Sequence, residues 1–279
     1  MNENLASIPH LEILPVIDLL EHERHDQQRT GPLIKRIMES GLWRNPPIVT
    51  PLQDRSQRYM ILDGANRVTA LRDLDIEHGV FQVVAPGDPG LKLYNWNHVI
   101  WNFDAAEILD GLESIKDVSV ILGVTDYIGA SNDQSLAKFE TSRGDQYTFC
   151  SPVTDLVTRT SQLNAIVDIY KSKGSLDRTS EWSPVRLKTV YENLCGLMIF
   201  PKLEVKQVLF LAGRGCLLPT GITRFSVSPR ALHINFPLEV MSAQISIEEK
   251  RNYLREFLNK RITQKGVRYY AEATYLFDE

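Results

Sequence analysis

Cysteine is scarce: Cys150, Cys195 and Cys216 are the whole set among 279 residues. An odd number, widely spaced and without a CxxC pair, fits neither a disulfide framework nor a zinc site. Three reduced thiols in or near a core are therefore expected. No stretch approaches the roughly 18 uninterrupted apolar residues of a membrane span. The opening MNENLASIPHLEIL also lacks a basic region followed by a long apolar run, so no signal peptide is expected. These absences point to a cytoplasmic protein with no membrane partner. Positive charge is not in surplus either, since 31 Lys and Arg stand against 35 Asp and Glu, a net charge of −4. Dedicated nucleic-acid binders carry a basic stripe to neutralise phosphates, so nucleic acid is not an expected partner. Internal repeats and low-complexity tracts are missing as well.

What is present is a chain long enough for one large or two modest α/β portions. Leu11–Val16 reads as a strand, and the segment 19–23 as a polar turn. Pro32 suits a first helical turn, with Leu33, Ile34, Ile37 and Met38 on one apolar face and Gly41 as the stop. Ile48–Thr50 and Tyr59–Leu62 read as a hairpin, and Val80–Val84 as a buried strand before the turn cluster at Pro86–Gly90. The texture changes near residue 105. Ala130–Gly144 reads as a polar loop with an edge hairpin, Thr154–Tyr170 and Pro184–Ile199 as helices, and Glu204–Ala212 as a third. Ile247–Arg261 is an amphipathic helix, and Val267–Phe277 a final strand. The expected fold is mixed α/β (α+β), divided into residues 1–105 and 106–279, with the second α/β domain packed against the first.

The segment YMILDGANRVTAL carries the chemistry, because a strand, an Asp-Gly break and a helix start follow one another directly. Gly64 permits a tight turn with close backbone approach. The free N–H groups of the helix start and its dipole both attract an anion. Arg67, in the first turn, can grip phosphate oxygens, and Asp63 can hold Mg²⁺ or position a water. An ordinary capped helix with a solvated Arg67 has the same short pattern, so the motif alone leaves both readings open.

Several separated blocks narrow the choice. PPIVTPLQDRSQRYMILDGANRVTALRDLDI resembles the nucleotide-binding core of the ParB/sulfiredoxin superfamily. LPVIDLLEHERHDQQR, YNWNHVIW, LPTGITRFSVSPRALHINFPLEV and the tail from Glu248 resemble the free L-serine kinases within it, from siderophore gene clusters and from archaea. The resemblance implies a ParB/sulfiredoxin-like N-terminal nucleotide-binding domain and phosphoryl transfer from ATP or ADP, with Mg²⁺. The acceptor it implies is free L-serine or a related hydroxy amino acid. It assigns Glu23, after His22, as the base on the acceptor hydroxyl, with Asp63 beside it in catalysis. Thr50, Asp63, Gly64, Ala65, Asn66 and Arg67 become the nucleotide site, with Asp63 also the Mg²⁺ ligand. Trp96, His98, Thr223 and Arg224 become the substrate side. Without the resemblance, Glu23 reads as a solvated turn residue, Trp96 as a core aromatic and Arg224 as an exposed arginine on a hairpin.

One position departs from the family pattern: Asn66 stands where its members carry histidine. An amide can donate to a phosphate oxygen but cannot carry charge or exchange a proton near neutral pH. A second functional class, a non-catalytic nucleotide-binding regulator, shares the ParB-like portion, but no helix-turn-helix follows it. Sulfinic acid repair of the sulfiredoxin type needs a cysteine in the phosphate loop, and Ala65 and Asn66 occupy that stretch.

Overall fold

A computed structural model describes residues 8–24, 30–123 and 134–270. The first elements are β1 (Leu11–Pro15), β2 (Leu19–Leu20), α1 (Thr30–Ser40), β3 (Leu42–Trp43), β4 (Ile48–Pro51) and β5 (Tyr59–Asp63). Next come α2 (Ala65–Asp73), β6 (His78–Val83), β7 (Leu91–Asn95), β8 (Asn97–Trp101), α3 (Ala105–Leu112) and β9 (Ser119–Leu122). They are followed by β10 (Ser135–Thr141), β11 (Gln146–Cys150), α4 (Leu156–Lys171), β12 (Ser175–Thr179) and β13 (Leu194–Ile199). The described chain closes with α5 (Val205–Gly213), β14 (Thr223–Val227), β15 (Phe236–Pro237), α6 (Leu238–Ser242) and α7 (Ile247–Thr263). The architecture is mixed α/β, as expected.

A five-stranded mixed sheet runs in the order β1-β6-β4-β5-β2, and a six-stranded antiparallel sheet in the order β12-β8-β13-β10-β11-β9. The alternation of side chains along a strand divides the first sheet between two cores. Met60 and Leu62 join the large core around α3, α4, α5 and the second sheet. Ile61 and Val49 face the other way, toward Val68 and Leu71 of α2, Ile37 of α1 and Leu254 of α7. The chain crosses between sheets more than once. β8 lies inside the six-stranded sheet, whereas β15 pairs with β3 and α7 packs beside β1, where Arg251 Nε donates to Ile13 O at 3.3 Å.

Local chemistry explains most boundaries. Gly41, at φ 61°, ends α1 in the left-handed conformation. Asp104 and Asp155 cap α3 and α4 by accepting from Ala106 N and Thr158 N, and Ser246 with Glu249 forms a capping box on α7.

Four stretches differ from their sequence reading. Residues 184–199 are no helix: Leu187–Thr189 is a short 3-10 turn, and β13 is a fully buried central strand. A short apolar run has no periodicity that separates a buried strand from a helix. Gly196 marks the strand in retrospect, because a Cβ there would strike Glu140 O of the neighbouring β10. β10 itself, read as part of a polar loop, lies between β13 and β11 with Leu136, Ala137 and Phe139 buried. Residues 19–23 are more than a turn, since β2 pairs in parallel with β5. The expected strand at 267–277 is absent from residues 267–270, and its remainder lies outside the described residues. Met38, placed on the apolar face of α1, is 57% exposed. All three cysteines are free, as expected, and burial pushes the Cys195 thiol up to about 12. Among the described residues, no helix is long and apolar enough to cross a membrane.

Candidate functional site

The turn after β5 is built around a backbone that only glycine adopts without strain. Gly64 caps α2 at φ 92°, and being glycine it offers no side chain to the helix N-terminus. Arg67 N and Val68 N both donate to Gly64 O, at 2.9 and 3.1 Å. The N–H groups of Ala65 and Asn66 precede that ladder and are the ones an anion can meet. A Cβ on Gly64 would lie 2.7 Å from Arg67 Nη2 and 2.9 Å from Pro47 Cβ. The guanidinium of Arg67 thus lies against the bare glycine.

Arg67 is largely buried. Its Nη2 donates to Asp63 Oδ2 at 3.2 Å, while its Nε is buried without a partner among the described residues. Desolvation holds its pKa below the usual arginine value, Asp63 opposes that, and the charge of Arg230 adds to it. Arg230 Nη2 also donates to Asp63 Oδ2. Two guanidinium groups share one carboxylate oxygen, so the cluster carries a surplus of positive charge.

Glu23 stands across the same cavity. It forms an isolated parallel bridge with Leu218, fastened by Arg24 N donating to Leu218 O and Leu218 N to His22 O. Its Oε1 accepts from Ile222 N at 3.1 Å, Thr223 N at 2.7 Å and Thr223 Oγ1 at 2.5 Å. Among the described residues, its Oε2 accepts only from Gly221 N, at 2.6 Å. One oxygen is saturated, and the other keeps a lone pair.

The ribbon β7–β14 brings the remaining groups alongside. Thr223 pairs with Asn95 and Arg224 with Tyr94. The Arg224 guanidinium lies 4.9 Å from the Trp96 ring centre and 5.3 Å from that of Tyr94, within cation–π range. His22 connects the two sides: Nδ1 donates to Ile61 O at 2.7 Å, and Nε2 lies 2.9 Å from Thr223 Oγ1.

These groups enclose a cavity of about 560 Å³. Its wall contains Glu23, Asp63, Gly64, Ala65, Asn66, Arg67, Trp96, Thr223 and Arg224 of the expected site, brought together from four separate stretches of chain. Arg24, Arg36 and Arg178 complete an arginine-rich lining. Two expected residues stand elsewhere. Thr50 is fully buried in β4, outside the wall. His98 is also fully buried and touches no cavity surface. Its Nδ1 accepts from Tyr170 Oη at 2.8 Å and its Nε2 donates to Gly221 O at 3.2 Å. Burial holds His98 down to about 4, so it is neutral at pH 7 and braces the turn that feeds Glu23.

Sequence reasoning passed over His22, Arg178 and Arg230. Adjacency to Glu23 was a signal for the first. Arg230 had none, because its role depends on a contact across 167 positions. Among the described residues, no group of three or more His, Cys, Asp or Glu gathers as a metal site.

No protein-family model matches the chain. It is similar over nearly its whole length to the ATP-dependent L-serine kinase SbnI of Staphylococcus aureus (strain NCTC 8325 / PS 47). The two are 22% identical over 275 residues, covering 97% of this chain and 98% of that protein. The solved structure of C-terminally truncated SbnI from Staphylococcus aureus matches with a TM-score of 0.73 at 21% identity, over 91% of this chain and 97% of that one. A free serine kinase in complex with AMP matches with a TM-score of 0.67 at 15% identity, over 85% of this chain and 98% of that one. The chain shares the fold of these proteins.

Proposed function

We propose that the chain is a free L-serine kinase, transferring the terminal phosphoryl group of ATP or ADP to the hydroxyl of L-serine to give O-phospho-L-serine. One observation carries this reading: Glu23 and the Gly64–Arg67 turn face one arginine-lined cavity. End-to-end similarity to an L-serine kinase supports it. Nucleotide phosphates would sit on the N–H groups of Ala65 and Asn66, with Arg67 beneath them. Residues 1–105 would supply most of this nucleotide side, and the Gly221–Arg224 segment the acceptor side together with Trp96.

In the reaction, the serine oxygen forms a bond to phosphorus as the bond to the leaving nucleotide oxygen breaks. That oxygen keeps the electron pair, and the hydroxyl proton passes to Glu23. Oε2 is the suitable oxygen, because Oε1 already accepts three donors. Arg224 and Arg178 offer charge for the carboxylate of the amino acid.

Mg²⁺ fits the residues present. Both arginine contacts fall on Asp63 Oδ2, so Oδ1 can coordinate alongside phosphate oxygens, the mixed ligand set that Mg²⁺ favours. Bound there, the ion would neutralise charge on the polyphosphate. Asn66 would take the place of the family histidine as a hydrogen-bond donor. The product would enter a biosynthetic pathway, such as that of a siderophore, in the cytoplasm.

The test is direct. Pure protein with Mg²⁺, L-serine and either ATP or ADP should give phosphoserine, seen by phosphorus NMR. Nucleotide binding with no product from either donor would overturn the kinase reading and leave a nucleotide-binding regulator.

A further inference from the structure

We propose that Arg230 is a ligand for the terminal phosphate of the nucleotide, held just outside the cavity lining by Asp63 until phosphate oxygens compete for it. The inference rests on the nucleotide site proposed above, and deepens it by adding a residue from outside the phosphate loop.

The backbone on either side of Arg230 is fastened with unusual care. Gln82, only 2% exposed in β6, uses both ends of its amide. Its Nε2 donates to Pro229 O at 2.9 Å, and its Oε1 accepts from Ala231 N at 2.9 Å. Two residues upstream of Arg230, Ser228 N donates to Gly90 O at 3.1 Å, and a Cβ on Gly90 would strike Ser228 O. Downstream, His233 N donates to Asn45 Oδ1 at 2.9 Å, and Ile234 N to Arg44 O at 2.8 Å. The segment therefore keeps its path without help from the Arg230 side chain. A buried amide spent on both neighbours of one arginine aims that arginine.

Its target in this structure is the carboxylate beside the phosphate turn. The Arg230 and Asp63 side chains are 40% and 43% exposed. Ion pairs at that exposure contribute little to stability, so a structural role does not account for the arrangement. The partner is also already served, because Arg67 donates to the same oxygen. Asp63 carries one negative charge against two positive ones, and an arriving polyphosphate restores the balance. Guanidinium groups bind phosphate in a forked geometry that lysine cannot reproduce. A single arginine of this kind speeds phosphoryl transfer by about 10³- to 10⁵-fold in other systems.

The experiment compares the full chain with Arg230→Ala and Arg230→Lys by calorimetric titration with Mg²⁺ and either ATP or AMP. Arg230→Ala should weaken ATP about 10- to 100-fold and leave AMP within about twofold, since AMP lacks the outer phosphates. Arg230→Lys should recover part of the loss. Thermal melting confirms that each variant folds, as the exposed side chain and the Gln82 clamp lead us to expect. Equal weakening of ATP and AMP, or no weakening of either, would overturn the proposal. The readout does not depend on catalysis: should the wild type bind ATP yet form no phosphoserine, selective loss of ATP affinity in Arg230→Ala still upholds the assignment of Arg230.

Discussion

Thr223 meets Glu23 twice, through its backbone N–H at 2.7 Å and its hydroxyl at 2.5 Å, both on Oε1. The same hydroxyl lies 2.9 Å from His22 Nε2. Removing it would take one of the three donors from Oε1 and leave His22 Nε2 without this contact, while His22 Nδ1 stays on Ile61 O. Thr223→Val should lower kcat by about tenfold, the value of one hydrogen bond to a charged group, whereas Thr223→Ser should stay close to wild type. Steady-state kinetics of phosphoserine formation decide it, and equal rates in all three proteins would remove the hydroxyl from the mechanism.

Glu23→Gln is the obvious test of the base, and the structure shows that it does two things. The amide cannot take the acceptor proton, which should cost about 10²- to 10⁴-fold in kcat. It also turns an NH₂ group toward backbone donors at Gly221 or at Ile222 and Thr223. A lowered melting temperature should therefore accompany the lost activity, while nucleotide affinity at the opposite wall holds. Full activity would dismiss Glu23 as the base. Loss of nucleotide binding would show that the two walls depend on each other.

His98 makes stability depend on pH. Its folded value of about 4 lies below the ordinary 6.5, so the fold favours the neutral form. The stabilisation is complete above pH 6.5, declines as pH falls toward 4 and is gone below it, on the order of 3 kcal/mol in all. Urea unfolding of wild type and His98→Gln at pH 7 and pH 4.5 isolates this group from the carboxylates, which titrate in both. Parallel curves for the two proteins would contradict the assignment.

The turn proposed to hold phosphate was legible because its parts are contiguous: Asp63, Gly64 and Arg67 lie within one strand–turn–helix, and backbone chemistry ties them together. Glu23 and Thr223 were legible only through resemblance, since 200 positions separate them. The same limit hid Arg230, whose meaning comes from Gln82 and Asp63. His98 misled for a different reason, as a histidine beside a site tryptophan gives no sign of which face of β8 it occupies. Trp96 precedes β8 and lines the cavity, whereas His98 lies within β8 and is fully buried. β13 was misread as helix because six apolar residues look alike in either conformation until Gly196 meets its neighbour strand.

Gly64→Ala tests the turn without removing a charged group. The left-handed backbone at φ 92° costs a non-glycine residue about 1–2 kcal/mol, and the new methyl must displace the Arg67 guanidinium. Nucleotide affinity should fall by more than about tenfold, with a modest drop in melting temperature. Calorimetric titration with ATP checks it. Unchanged affinity would mean that phosphates do not approach this backbone.

Asn66 raises the question of whether an amide suffices where the resemblance to free L-serine kinases implies a histidine. It lines the cavity at the second position of α2, next to a cluster in which Arg67 and Arg230 already outnumber Asp63. Charge is therefore the one property the site has in surplus, and a donor is what Asn66 must supply. Asn66→Ala should lower kcat about tenfold. Asn66→His should stay within about threefold of wild type at pH 8, and gain a new pH dependence near 6.5 as the imidazole titrates. The pH–rate profiles of the three proteins separate the cases. A gain of about 100-fold in Asn66→His, equivalent to some 2.7 kcal/mol of transition-state stabilisation, would show instead that the related kinases rely on a positive charge that this chain has given up.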